Sequence, residues 1–234
     1  MAMTNNCERK FDDLFSKKGV HTYDFESGKL KGKDKKLKEL FDKIGVPGKK
    51  CLDIGPGTGR WLQYLSMSEA AYLAAADISG EALKRCEDIC NRTEKLDIES
   101  DSLPWDENYF DLVVSLEVLE HLRDYENYFK EIIRVSRKGA YVVISLPNIV
   151  SLISRIRMLA GLLPVAIASD DTHVGFYRKK DLSRILAKYG QKVVFVPTSF
   201  SLNPLKVKSR FRVPSNRWMS SFDDSILFYF IVTK

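Results

Sequence analysis

The sequence lacks several features that would define its compartment. No stretch approaches the roughly 18 consecutive apolar residues that cross a bilayer, and residues 1–15 contain no apolar segment typical of a secretion signal. Only four cysteines occur in 234 residues, too few for a disulfide framework. Cys86 and Cys90 have no histidine or further cysteine near them in the sequence, so we predict no metal site. We therefore expect a reduced, cytoplasmic protein.

Two common nucleotide-binding motifs are also missing. The stretch KCLDIGPGTGR at residues 50–60 has glycines at 55, 57 and 59, whereas a dinucleotide-binding turn needs glycine at the position of Arg60. No Gly-Lys-Ser/Thr follows, which excludes a P-loop. The carboxylate of Asp53, just before the turn, would repel a pyrophosphate but suits a cationic ligand. An NAD-dependent oxidoreductase is therefore disfavoured.

Charge and hydrophobic content permit several partners without choosing one. The net charge is +6 and 44% of the residues are hydrophobic, which supports a sizeable core. A basic protein can bind a nucleic acid, a phosphorylated substrate or a membrane surface. Two basic stretches occur, at 29–38 and 206–217, and solvated side chains are the simpler interpretation of both.

Apolar strands alternate with amphipathic helices from Lys50 onward. Strands are predicted at about 51–54, 71–76, 94–97, 110–116, 139–145, 191–196 and 225–233. This alternation predicts an α/β fold that is Rossmann-like and doubly wound, with a mostly parallel sheet. We predict one domain over residues 46–234, with insertions at about 148–177 and 201–222. A helical or lid segment at 1–45 precedes it.

The glycine turn and the stretch FDLVVSLEVLEHL at 110–122 resemble class I S-adenosylmethionine (SAM) dependent methyltransferases of the small-molecule type, similar to the type 11/12 domain group. The resemblance covers about residues 50–145. It implies SAM as the cofactor and a seven-stranded sheet whose last strand is antiparallel. It also implies a set of residues around the cofactor. Gly55 and the backbone of Ser115 and Leu116 would hold its methionine end, and Asp53, Pro56, Gly57 and Gly59 would complete that part of the site.

Three aspartates close the first three predicted strands. Because ligands of open α/β sheets bind at the carboxyl ends of the strands, we expect Asp53, Asp77 and Asp97 to meet at one crevice. Asp77 is placed to accept two hydrogen bonds from ribose hydroxyls, and Asp97 to accept one from the adenine amino group. We expect Ile78 and Ile98 to sandwich the adenine ring.

Methyl transfer from a sulfonium is an in-line displacement, in which positioning and desolvation supply much of the catalysis. An oxygen acceptor of high pKa also needs a base. His173 lies in the insertion that should cover the crevice, and an ordinary histidine pKa of about 6.5 suits that role. The alternative is a histidine that only packs the insertion against the body. We expect His121 to orient the helix after the fourth strand.

We expect the acceptor to be an oxygen or nitrogen of a small molecule, a sugar or a lipid-linked compound. No Asn/Asp-Pro-Pro-Tyr/Phe follows the fourth strand, so methylation of nucleic-acid bases is not indicated. A helix predicted at 149–163 carries Arg155 and Arg157, and it is a lid, a core helix or a peripheral membrane contact. An anionic or lipid-linked acceptor stays open because the basic stretch 206–217 could flank the same opening. An RNA methyltransferase and a non-catalytic SAM-binding protein are the alternative functions.

Overall fold

The computed structural model describes residues 2–16, 25, 30–168, 170–201, 212–214, 216 and 219–234. Its helices are α1 (Ala2–Ser16), α2 (Lys33–Ile44), α3 (Arg60–Met67), α4 (Gly80–Lys84), α5 (Glu126–Val135), α6 (Leu152–Leu159), α7 (Val165–Ala168) and α8 (Lys179–Lys188). Its strands are β1 (Lys50–Ile54), β2 (Tyr72–Asp77), β3 (Arg92–Lys95), β4 (Phe110–Leu116), β5 (Ser136–Pro147), β6 (Val194–Val196), β7 (Ser199–Ser201), β8 (Arg212–Pro214) and β9 (Ser225–Ile231). Short 3-10 helices occupy Leu119–His121 and Ser220–Phe222.

The main sheet has seven strands in the order β3-β2-β1-β4-β5-β9-β6. The pairs from β3 to β5 are parallel, whereas β9 runs antiparallel to both β5 and β6. This topology confirms the predicted Rossmann-like fold and its antiparallel last strand. β1 lies between β2 and β4, so its carboxyl end is flanked by the ends of both neighbours. A crevice forms where these ends meet.

Two hydrophobic cores cover the two faces of the sheet. On one face, Phe129 and Ile132 of α5 and Leu186 of α8 pack on the sheet. On the other, Phe41 of α2 and Leu62 of α3 do so. The central strands are buried on both faces, which is why they read as continuous apolar runs in the sequence. The alanines of β2 are fully buried, so packing between layers outweighs the poor strand propensity of alanine.

The segment after β4 differs from the expected helix. The sequence predicts a helix that carries His121 through Val135, and the first third of this prediction is wrong, since a 3-10 turn ends at His121 and α5 begins only at Glu126. Leu122 has an extended backbone (φ −91°, ψ 135°), which interrupts helical geometry. The side chain of Asp124 then accepts the N–H of Glu126 (2.8 Å) and satisfies one of the free N–H groups at the start of α5.

Other boundaries also move. β3 ends at Lys95, so Asp97 follows the strand rather than closing it. The helix predicted at 149–163 is shorter, because α6 covers only Leu152–Leu159. The basic residues Lys206, Lys208, Arg210 and Arg217 of the predicted second insertion lie outside the described residues. Among the described residues, no helix has both the length and the apolar character needed to cross a bilayer.

Candidate functional site

The glycine turn after β1 leaves its backbone open. Gly55, Gly57 and Gly59 all have positive φ, of 71°, 57° and 72°. The N–H of Gly55 donates to the carbonyl of Ala76 (2.8 Å), which ties the turn to the end of β2. A Cβ on Gly55 would lie only 2.3 Å from Cγ2 of Val118. Glycine is therefore required at position 55, and Gly55 lines the cavity at the strand ends.

A cavity of about 900 Å³ opens at the carboxyl ends of β1, β2 and β4. Its lining includes part of the predicted cofactor set, namely Gly55, Gly57, Asp77, Ile78, Asp97 and Ile98. The other members, Asp53, Pro56, Gly59, Ser115 and Leu116, are not on its wall. Asp53 and Ser115 are 2% and 0% exposed, so they lie behind the wall. Their contact with a cofactor stays a prediction.

The carboxylates at the strand ends differ in environment. Asp77 accepts the N–H of Ser79 (2.8 Å), yet burial raises the pKa of Asp77 to about 6. Burial, followed by the nearby charge of Asp77, raises the pKa of Asp53 well above its ordinary value. Asp97 accepts the N–H of Glu99 (3.0 Å) and stays at the cavity wall. Asp77 and Asp97 are therefore the carboxylates placed to accept from a ligand.

Helix α1 lies against the cavity opening. Phe11 and Phe15 line the cavity, and a Cβ on Gly57 would lie 3.3 Å from the ring of Phe15. The carboxylate of Asp12 accepts the hydroxyl of Ser79 (2.6 Å) at the start of α4. Further contacts are the ion pairs Glu8–Lys95 and Lys10–Asp171 and a hydrogen bond from Arg85 to the carbonyl of Phe15. These contacts hold α1 across the part of the cavity lined by Gly57, Asp77 and Asp97.

Glu117 terminates β4 in a left-handed conformation, with φ 59°. Its Oε1 accepts from Nζ of Lys33 (2.6 Å) and from Oγ of Ser145 (2.7 Å). Burial alone would raise the pKa of Glu117, but the Lys33 ammonium and the hydrogen bond from Ser145 together outweigh it, and the pKa lies below its ordinary value. Glu117 is thus an ionised carboxylate on the cavity wall.

The 3-10 turn after β4 and the loop 170–178 form one packed unit. The carbonyl of Glu120 accepts the N–H groups of both Val174 and Gly175, each at 2.8 Å. A Cβ on Gly175 would lie 3.0 Å from the carbonyl of Leu122, so glycine is needed for this close approach. The side chain of Glu120 is buried, and this burial, with the charge of Glu117, raises its pKa well above the ordinary value.

His121 and His173 lie against each other beside the cavity. Their ring centroids are 4.9 Å apart, and His121 lines the cavity whereas His173 stands behind it. Nδ1 of His173 is 2.6 Å from the carbonyl of Ala166, and Nδ1 of His121 is 3.0 Å from Oγ1 of Thr172. Burial, and then the charge of His173, lowers the pKa of His121. His121 is therefore a neutral imidazole at pH 7.

A family model described as a methyltransferase domain matches residues 28–196, well over half of the chain. The chain belongs to this methyltransferase family. The match contains the glycine turn, β1 to β5 and the loop that carries His173. Membership confirms the predicted class of SAM-dependent methyltransferase and the prediction of S-adenosyl-L-methionine as its cofactor.

Curated relatives of this methyltransferase act at different atoms. Norajmaline N-methyltransferase of Rauvolfia serpentina is 30% identical over 111 residues, which cover 45% of this chain and 38% of the relative. Tocopherol O-methyltransferase of Arabidopsis thaliana, a chloroplastic protein, is 31% identical over 102 residues, 41% of this chain and 29% of the relative. The chain thus spans only about a third of the length of the curated relatives it matches.

Solved structures share the fold of the methyltransferase. A SAM-dependent methyltransferase from Archaeoglobus fulgidus superposes with a TM-score of 0.61 at 21% identity, covering 84% of this chain and 92% of that one. One from Aquifex aeolicus gives 0.57 at 17% identity, covering 84% and 89%. At such identities the likeness establishes the fold, and it agrees with the strand order described above.

The residues at the cavity fit SAM on chemical grounds. Gly55 and Gly57 line the cavity and present only backbone groups there, which suits a polar ligand. Asp77 and Asp97 are hydrogen-bond acceptors beside the apolar Ile78 and Ile98, a combination suited to ribose hydroxyls and an adenine ring. A phosphate would meet carboxylates here and be repelled. The wall therefore matches a phosphate-free adenosine.

Sequence reasoning missed several groups at the site. Glu117 and Glu120 were not singled out, although an acidic residue directly after a strand that ends at the crevice is a usable signal. Lys33 and the aromatic residues of α1 were missed because contacts between distant segments have no local signature. His173 packs against His121 and is not on the cavity wall, and its predicted role as a base stays a prediction.

Proposed function

We propose that this methyltransferase transfers the methyl group of SAM to an oxygen or nitrogen of a small-molecule acceptor. One observation carries the proposal. The cavity continues from the predicted cofactor residues to Glu117, His121 and Thr172, which lie outside that predicted set. Its volume of about 900 Å³ is in the range of small-molecule sites, which reach about 1,000 Å³. The names of the curated relatives, an N- and an O-methyltransferase, support both acceptor atoms.

In this proposal the residues of the chain orient and enclose the reactants. SAM supplies an electrophilic methyl group on a cationic sulfur. Asp77 accepts the ribose hydroxyls, Asp97 the adenine amino group, and Ile78 and Ile98 enclose the ring. Helix α1 excludes water from the cofactor side through Phe11 and Phe15. Exclusion of water strengthens the electrostatic attraction between an acceptor lone pair and the cationic donor.

The general base stays a prediction. A carbonyl can only accept, so the Nδ1 of His173 donates its proton to Ala166, and in a neutral ring the lone pair is then on Nε2. We expect Nε2 of His173 to be the atom that takes a proton from an oxygen acceptor. An amine acceptor that is already neutral needs no base before it attacks.

A turnover assay tests the function. The purified protein is incubated with SAM and with phenols, sugar hydroxyls or amines, and formation of S-adenosylhomocysteine is measured against an acceptor-free control. Product with at least one small acceptor class and not with RNA supports the proposal. Product with RNA alone would establish the alternative of an RNA methyltransferase, and SAM binding with no product in any arm would favour a non-catalytic SAM-binding protein.

A lipid-linked acceptor is a second candidate, favoured by the surface of α6 and the turn after it. Leu159 is 91% exposed and Leu163 is 60% exposed. Met158 and Leu162 are exposed beside them, and Arg155 and Arg157 lie on the same helix. Apolar side chains flanked by arginines suit the interface of an anionic bilayer. We propose that these residues, here called the α6 patch, contact such a surface.

A further inference from the structure

A carboxylate and two imidazoles converge behind the acceptor end of the cavity. Glu120 and His121 belong to the 3-10 turn after β4, and His173 belongs to the loop packed against that turn. One potential ligand atom from each lies within 4.8 Å of those of the other two. The three residues come from positions that the fold, rather than the local sequence, brings together.

The buried side chain of Glu120 lacks hydrogen-bond partners among the described residues. Glu120 is 2% exposed, and among the described residues neither of its carboxylate oxygens has a hydrogen-bond partner. Buried polar groups in native proteins are satisfied almost without exception, so this buried carboxyl group calls for a partner, which a water molecule, an ion or a ligand can supply. The neighbouring Glu117 does not fill this role, because its own carboxylate accepts hydrogen bonds from Lys33 and Ser145.

Hydrogen bonds orient both histidines for ligation. The carbonyl of Ala166 fixes the proton of His173 on Nδ1. The hydroxyl of Thr172 donates to Asp170 (2.5 Å), so it accepts from Nδ1 of His121, which also lies 3.3 Å from the Thr172 carbonyl. When the rings are neutral, these contacts leave the lone pair of each ring on Nε2. Metal-bound histidines characteristically donate their other ring N–H to a protein oxygen in this way.

We propose that Glu120, His121 and His173 bind one divalent first-row transition-metal ion. Two imidazoles and one carboxylate suit Zn²⁺, Co²⁺, Mn²⁺ or Fe²⁺, whereas Mg²⁺ and Ca²⁺ prefer oxygen ligands only. Three protein ligands leave at least one coordination position open, as in catalytic zinc sites. This assignment replaces the expectation of no metal site that the cysteine spacing suggested.

The open position bears on the acceptor. His121 and Thr172 line the cavity, so an ion held by His121 borders the space left for the acceptor. On the proposed function, the ion would bind an acceptor hydroxyl and lower its pKa, so that the proton leaves to water. The O–CH₃ bond then forms as the S–CH₃ bond breaks, and S-adenosylhomocysteine is the leaving group. The site thus favours a hydroxyl-bearing acceptor.

A metal titration without SAM or acceptor tests the site. Chelator-treated protein is titrated with Co²⁺, followed by visible absorption, and with Zn²⁺, followed by calorimetry. We expect one equivalent of each ion, and at least tenfold weaker binding in Glu120→Gln and in His173→Asn. Asp171→Asn is the matched control, because this exposed carboxylate lies beside Thr172 but outside the cluster. It should bind metal as the wild type does.

Two results would overturn the metal site. One is the absence of stoichiometric binding in folded wild-type protein, and the other is equal affinity in wild type and both ligand variants. Circular dichroism shows which variants fold, and if Glu120→Gln does not, His173→Asn decides. Calorimetry with S-adenosylhomocysteine on the same samples keeps the outcomes separate, since loss of metal binding alone leaves the cofactor site and the proposed function intact.

Discussion

Nζ of Lys33 in α2 lies 2.6 Å from Oε1 of Glu117 at the end of β4. The pair joins the segment before the glycine turn to the strand whose end borders the acceptor side of the cavity. Glu117 keeps 37% of its side chain exposed, so water screens the pair and its contribution to stability is modest.

Replacing Lys33 by methionine should lower the free energy of unfolding by about 1 kcal/mol, because Glu117 loses its partner in a partly buried site. Urea denaturation measures the change. Lys36→Met is the matched control, since Lys36 pairs with Glu39 within the same helix at the surface, where such pairs contribute little. Equal effects of the two substitutions would contradict a special role for the Lys33–Glu117 pair.

Gly55→Ala should weaken binding of S-adenosylhomocysteine at least tenfold, because its Cβ would lie 2.3 Å from Val118 and displace the turn. Isothermal calorimetry measures the affinity. Gly190→Ala is the control, since Gly190 has almost the same φ of 72° but no described atom within 4 Å of the added Cβ. Both variants should lose about 1 kcal/mol of stability from backbone strain, and only Gly55→Ala should lose affinity.

The Gly55→Ala defect should be partly rescued by Val118→Ala. The second substitution removes Cγ2, the atom that the new Cβ would meet. Affinity measured in the double variant should exceed that of Gly55→Ala alone. If it does not, the defect comes from backbone strain rather than from the clash.

Binding of S-adenosylhomocysteine should weaken as the pH falls through about 6, because the carboxylate of Asp77 is then protonated and becomes a poorer acceptor for ribose hydroxyls. Asp77→Asn should bind weakly at every pH and show no such step. Affinity measured between pH 5 and 8 decides. A step of equal size in wild type and Asp77→Asn would assign the titration to another group.

The same carboxylate should affect the stability of the free protein with the opposite sign. Burial raises the pKa of Asp77 from its ordinary value of 3.8 to about 6. Between these two pH values the folded state therefore holds a proton that the unfolded state has already released. Stability is therefore lost as the pH rises from about 4 to about 6. In Asp77→Asn this part of the stability profile should be flatter, which thermal unfolding across that pH range measures.

Asp12→Ala should speed the dissociation of S-adenosylhomocysteine several-fold, because the substitution removes the hydrogen bonds from Ser79 and from the N–H of Glu81 that tie α1 to α4. Stopped-flow displacement gives the rate. Asp13→Ala, on the exposed side of the same helix, is the control and should leave the rate unchanged. Unchanged rates in both variants would show that α1 does not retain the cofactor.

The α6 patch should bind vesicles of anionic lipid, and Leu159→Glu combined with Leu163→Glu should abolish co-sedimentation through lost apolar contact and added negative charge. Ile231→Glu is the control, because Ile231 is also exposed, at 42%, but lies on β9. A wild-type protein that stays in the supernatant with anionic vesicles would exclude the membrane contact.

The central sheet could be predicted from sequence because its signals are local. Buried parallel strands appear as short apolar runs, and the glycine turn follows one of them, so β1, β4 and Asp77 are found without any knowledge of distant contacts. The helix expected from His121 onward failed for a tertiary reason. The carbonyl of Glu120 accepts hydrogen bonds from the N–H groups of Val174 and Gly175. The hydrophobic periodicity of residues 117–125 cannot predict these long-range contacts.

The rest of the site depends on segments far apart in the chain. Phe15 reaches the glycine turn, Lys33 reaches Glu117, and His173 reaches His121 only because the fold places them together. The positions of carboxylates at strand ends predict which residues lie at the same edge of the sheet. They do not predict which side chain at that edge lies on the cavity wall. That is why His173 was expected at the crevice and His121 occupies the wall.

The N–H groups of Val174 and Gly175, which both donate to the carbonyl of Glu120, affect how ligands enter and leave the cavity. Swinging the 170–178 loop outward would break both bonds and uncover the close contact at Gly175, so this side of the molecule acts as a fixed wall. Helix α1 is held through side-chain contacts such as Asp12–Ser79 and Glu8–Lys95, so we expect reactants to enter and products to leave past α1. The methyl donor and the acceptor would then share one entrance to the cavity. The order in which they bind would give the enzyme an ordered kinetic mechanism.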